Sequence, residues 1–83
     1  MNYQAYQLAQ SAIADLKSAV YLALEASGDA GLTNAELGRS LGIYGGHVGH
    51  EGHISRTLLG LLENEGVVVQ VADTKRWFLK KYK

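Results

Sequence analysis

The chain has no cysteine and no proline, one tryptophan, one phenylalanine and one methionine, and no formal net charge across its 83 residues. Each scarcity excludes something. Without cysteine there are no disulfides and no thiolate metal sites, and a reducing compartment is the natural setting. One core of this size is close to the lower limit of self-sufficiency, so association with a partner becomes a real option. No apolar run approaches the roughly 20 residues that span a bilayer. The opening "MNYQAYQLAQ" lacks a basic stretch followed by an apolar one, so no signal peptide is expected and the default location is cytoplasmic, with no membrane partner. Zero net charge argues against a generic polyanion binder.

The distribution of charge says more than its sum. Met1 to Gly38 carry one lysine against four acids (Asp15, Glu25, Asp29, Glu36), whereas the remainder carries seven basic residues against four acids. Five of those seven crowd into the last nine residues, "KRWFLKKYK". Such asymmetry suggests a cationic end turned towards a polyanion, or else a solubilising tail.

Along the chain, Tyr3 to about Ser27 is rich in alanine and leucine and free of glycine and proline, which predicts one long helix stopped by Gly28. Tyr6, Ala9, Ile13, Leu16, Val20 and Ala23 recur at alternating spacings of three and four, a short heptad stripe. Its second half is expected on the domain core. Its first half, with Tyr6, Ile13 and Leu16, is expected at a homodimer interface, although a wholly intramolecular face would give the same pattern. In "LTNAELGRSLGI", Thr33 and Glu36 form a capping box opening a short amphipathic helix that ends at Gly42. Ile54, Leu58, Leu61 and Leu62 then define the apolar face of a third helix, about residues 51–65, with His53, Arg56, Gly60 and Glu63 opposite. "VVVQV" and "RWFLK", separated by "ADTK", read as a β-hairpin. The fold expected is mainly α with a small β-hairpin, a single domain over residues 1–83.

"LTNAELGRSLGI", "ISRTLLGLLENEGVVVQ" and the hairpin to "RWFLKK" together resemble a winged helix-turn-helix domain, over about residues 16–80. Residues 1–15 would then be a helical extension. The resemblance implies a third helix in the major groove of double-stranded DNA and a wing on the neighbouring backbone. It therefore implies a small DNA-binding protein, most simply a transcription regulator acting as a homodimer. In one respect the chain departs from the family: "YGGHVGHEGH" is about six residues longer than the short turn usual between such helices.

The residues themselves suit that role. Arg56 can fork to a guanine or to phosphate oxygens, Ser55 and Thr57 can donate to phosphates or bases, and Gly60 allows a backbone to come close. His53 sits on the same face, while Lys75 and Arg76 of the wing and Lys80, Lys81 and Lys83 beyond it would position rather than specify. Arg56 could instead pair with Glu63 or Glu36 on a solvated surface. His47, His50 and His53 are spaced three apart. That is no standard zinc spacing, though Glu51 could supply a fourth ligand in an extended loop. Four nearby glycines make such a site costly to order. The reading preferred is a DNA-proximal loop whose histidines touch phosphates more strongly when protonated. No metal, cofactor or catalytic role is expected. Two other functions fit the same residues: a protein–protein interaction module, and a DNA-reading module of a larger nucleic-acid enzyme.

Overall fold

The computed structural model describes residues 2–45 and 51–83. They form three helices, α1 (Tyr3–Ser27), α2 (Asn34–Ser40) and α3 (His53–Asn64), then an antiparallel pair, β1 (Val68–Gln70) and β2 (Trp77–Leu79), and a 3-10 turn over Lys80–Tyr82. This is the mainly α chain with a small hairpin that the sequence predicts. His47 and His50 lie outside the described residues.

Local chemistry sets each boundary. The Asn2 side chain accepts from the Ala5 N–H at 3.0 Å and opens α1, and Gly28, at φ 53°, closes it by donating to the Leu24 and Glu25 carbonyls. The capping box of α2 is formed in both directions: Thr33 Oγ1 accepts from Glu36 N–H, and Glu36 Oε1 accepts from Thr33 N–H. Two orphan donors of that helix end are thereby satisfied. α3 starts two residues later than expected, because Gly52 takes a left-handed conformation at its N-cap. The Gly52 carbonyl then accepts from Arg56 N–H, from the Ser55 hydroxyl and from the Asn34 amide. The Gly52 N–H donates to the Gly45 carbonyl at 3.2 Å, so the connection between α2 and α3 leaves and returns at one point.

Val20 and Leu24 of α1, Leu37 of α2, Leu58, Leu59 and Leu62 of α3, Val68 of β1 and Trp77 and Leu79 of β2 make one core. β2 is covered on both faces. Trp77 and Leu79 point into the core, and Phe78, on the opposite side, is roofed by Gly31 and by the Lys83 ammonium 4.5 Å from its ring centre. Leu32 adds a single antiparallel bridge to Trp77, which ties the α1–α2 connection to the far edge of the hairpin.

The buried face of α3 differs from the one that hydropathy selects. Ser55, Leu58, Leu59 and Leu62 are buried, whereas Ile54 is exposed and Leu61 only half-buried. At 100° per residue the true face is turned by about 60° from the expected one. The cause is the crossing with α2: a Cβ on Gly38 would lie 2.9 Å from the Ser55 hydroxyl, so two small residues let the helices approach. Ser55, expected to contact DNA, is instead fully buried at this crossing and is unavailable to a ligand.

Candidate nucleic-acid interface

With Ser55 inside, the outward face of α3 consists of His53, Arg56, Thr57, Gly60, Glu63 and Asn64. Its two flanks differ. On one side Arg56 borders an open cleft of about 780 Å³ between α3, the start of α2 and the hairpin, lined also by Asn34, Tyr44, Gln70, Thr74, Lys75 and Trp77. On the other, His53, Ile54 and Thr57 meet Ile13 and Leu16 of α1 in a small apolar groove.

The hairpin brings Lys75 to that cleft by a tight turn. Val71 N–H donates to the Arg76 carbonyl and Lys75 N–H to the Val71 carbonyl at 2.7 Å, and Lys75 takes φ 60°. The left-handed backbone turns the chain back into β2 and leaves the ammonium at the tip. Lys80 lies at the other end of the hairpin, where its N–H donates to the Val67 carbonyl. Exposed but about 15 Å of strand away from the tip, it does not join Arg56 and Lys75.

Arg76 overturns its sequence reading. Its Nε donates to the Ala30 carbonyl at 2.9 Å, its Nη2 donates to the Gly31 carbonyl at 3.0 Å, and the same nitrogen pairs with Glu36 Oε1 at 3.1 Å. A guanidinium forked across three oxygens of its own fold is a strut, not a phosphate contact. The Thr33 backbone N–H, then the Arg76 charge, hold the Glu36 carboxyl below the ordinary carboxylate range. Glu36 is therefore not the partner of Arg56.

The tail is folded back in the same manner. Lys81 Nζ lies 2.7 Å from Glu25 Oε2 and the Tyr82 hydroxyl donates to Glu25 Oε1 at 3.0 Å. These two contacts hold the Glu25 carboxyl below its usual range and raise both Lys81 and Tyr82. Lys17 is likewise paired, 2.6 Å from Glu65. Acids of the N-terminal half thus neutralise part of the basic tail. Among the described residues, no ion pair engages Arg56, Lys75 or Lys80.

Sequence reasoning missed three lining groups. Tyr44 is stacked under the Arg39 guanidinium, 4.6 Å from its ring centre, and forms part of the cleft wall. Asn34 and Gln70 are the others; Gln70 was legible as the outward residue of β1, but the position of Tyr44 depends on the turn after α2. Gly60 has nothing within 4 Å of where a Cβ would stand. No packing inside the fold requires a glycine there. The described residues hold no group of three His, Cys, Asp or Glu placed to bind a metal ion, and no helix among them is long and apolar enough to cross a membrane. Comparison of the chain with family models, with curated proteins and with solved structures gives no match in any of the three.

Proposed function

We propose that this chain is a winged helix-turn-helix module that binds duplex DNA, with α3 in the major groove and the hairpin along the adjacent backbone. The observation that carries the reading is the placement of Arg56 and Lys75 on one open cleft, neither taken up by a carboxylate, while Lys17, Arg76 and Lys81 are neutralised within the fold. Arg56 reads or clamps, Thr57 and His53 donate beside it, and Lys75 fixes the register from the wing tip. Gly60, half-buried but with open space where a Cβ would stand, lets the helix sit close to a groove wall. A cytoplasmic transcription regulator is the role that fits such a module without a catalytic constellation.

A second reading, a protein-docking module on the same scaffold, is favoured by the exposed Tyr3, Tyr6, Leu8 and Leu22 of α1. Fluorescence anisotropy of a labelled mixed-sequence duplex at two salt concentrations separates them. Two phosphate contacts give log K a slope of about −2 against log salt. Arg56→Ala then weakens binding and flattens the slope by about 1. Failure to bind at low salt, or indifference to Arg56→Ala, leaves the docking module in its place. Repeating the titration with a chelator reads the histidine segment separately.

A further inference from the structure

The first half of α1 is exposed on every side: all residues from 2 to 12 are solvent-facing, an overhang of about 16 Å at 1.5 Å per residue. Residues 2–14, "NYQAYQLAQSAIA", contain no charged side chain. Isolated surface helices are usually held in water by charged faces and by ion pairs along the helix. This one instead shows Tyr3 and Tyr6 at 66% and 50% exposure, their rings stacked 6.4 Å apart. The apolar stripe that Val20 and Leu24 bury in the core continues outward through Leu16, Ile13, Ala9 and Tyr6. At the edge of the domain it opens into the apolar groove of about 230 Å³ formed by Ile13, Leu16, Ile54 and Leu58, with His53 and Thr57 on the rim.

We infer that residues 3–16 of α1 pair antiparallel with the same segment of a second copy, Tyr3 and Tyr6 of each chain lying against the groove of the other. Three observations select this occupant. A parallel pair through this stripe would bring both domains to the same end and the same side, because each domain already covers the C-terminal half of the stripe. An antiparallel pair centred between Ala9 and Gln10 sends the domains to opposite ends. In that register Tyr6 faces Ile13 and Tyr3 faces Leu16, which matches the two tyrosines of one chain to the two α1 residues of the other's groove. Finally, the segment is uncharged from residue 2 to 14, and in this register its one acid, Asp15, falls opposite Gln4, so it meets its own copy without like-charge repulsion. The other apolar line of α1, Leu8, Ala12, Ala19 and Leu22, has Asp15 at its centre and would set two carboxylates into a shared seam.

Tyr3 and Tyr6, 66% and 50% exposed, can each add only part of the roughly 150–250 Å² that a fully buried aromatic brings, so with Ala9, Ile13 and Leu16 they build a surface at the low end of stable interfaces. The dimer is accordingly concentration-dependent, and light scattering is expected to show twice the 9.0 kDa chain mass at high concentration and the single mass on dilution. Tyr6→Glu, at an exposed position, shifts the transition at least tenfold upward in concentration without changing the circular dichroism.

The absence of native cysteine makes the register directly readable. Ala9→Cys lies next to the two-fold axis and forms a disulfide with its own copy on mild oxidation. Tyr6→Cys alone does not, since its two copies are about 10 Å apart along the helices, but Tyr6→Cys with Ile13→Cys does. A chain that stays monomeric at every concentration overturns the proposal. Equal cross-linking of Tyr6→Cys and Ala9→Cys overturns it in favour of a parallel pair, and cross-linking of Leu8→Cys alone in favour of the other face. None of these readings involves DNA, and Arg56 and Lys75, which carry the DNA-binding proposal, lie outside this groove, so the two proposals fail or stand separately.

Discussion

Two residues that the sequence offers to the interface behave oppositely, and each is testable alone. Gly60 sits inside α3 with open space where its Cβ would be, so the fold gains nothing from the missing methyl group. Gly60→Ala is expected to stabilise the protein by about 0.5–1 kcal/mol, the usual helix-interior difference, and to weaken duplex binding. Denaturant melts and anisotropy on the same variant check both signs, and a stabilised protein with undiminished binding would remove Gly60 from the interface. Arg76 is the reverse case. Arg76→Met removes the bonds to the Ala30 and Gly31 carbonyls and the pair with Glu36. A loss of about 1–2 kcal/mol is expected after allowing for the solvent screening of a partly exposed guanidinium. Duplex affinity measured well below the melting temperature stays unchanged, because this charge is already spent inside the fold.

At the level of elements, what was legible followed from residues whose preferences act locally. Asn2 and Gly28 bound α1, Thr33 and Glu36 open α2, and the alternation in "VVVQV" and "RWFLK" gives the hairpin. The orientation of α3 was not legible, since it depends on a contact between elements. Ser55 is polar, and only the facing Gly38 makes it the residue on which α2 and α3 cross. The same limit explains Arg76 and Lys81. Their neighbours in sequence are basic, while their partners Glu36 and Glu25 come from the opposite end of the chain. Arg56 and Lys75, by contrast, keep the exposure that their polar surroundings suggested. The crossing yields its own expectation: Ser55→Val overpacks it and costs about 1–3 kcal/mol, the range for added bulk in a packed interior. Chemical denaturation measures it, and a neutral result would mean that α2 and α3 can separate slightly without loss.

At the perimeter of the whole molecule, exposed ion pairs link elements distant in sequence, and their titration adds a modest pH dependence to its stability. Glu25 and Glu36 are held below their ordinary value of 4.5, so the folded chain binds those protons less readily than the unfolded one. Their contribution is complete above that value and fades as the pH falls through the lowered ones. Lys81 and Tyr82 are raised above 10.5 and 10.0, and their contribution is complete below those values and fades as the pH rises past them. The melting temperature is therefore expected to be level between about pH 5 and 9 and to decline on both sides. Calorimetry across that range checks it, and Glu25→Gln should soften both edges at once because that carboxylate anchors Lys81 and Tyr82 together.

The bridge from Leu32 to Trp77 also has a meaning in time. During synthesis α1, α2 and α3 leave the ribosome in order, but Val20, Leu24, Leu37 and the α3 leucines have no closed core until Trp77 and Leu79 arrive from β2. Each of the three α-helices is made before the strand that completes the hydrophobic interior. A nascent chain of which residues up to 76 have emerged from the ribosome carries exposed leucine faces and an unpaired Leu32, and it shuts once Trp77 to Leu79 have emerged as well. The vulnerable interval for capture by chaperone or protease is thus written into the order of the elements, and it ends with the last strand.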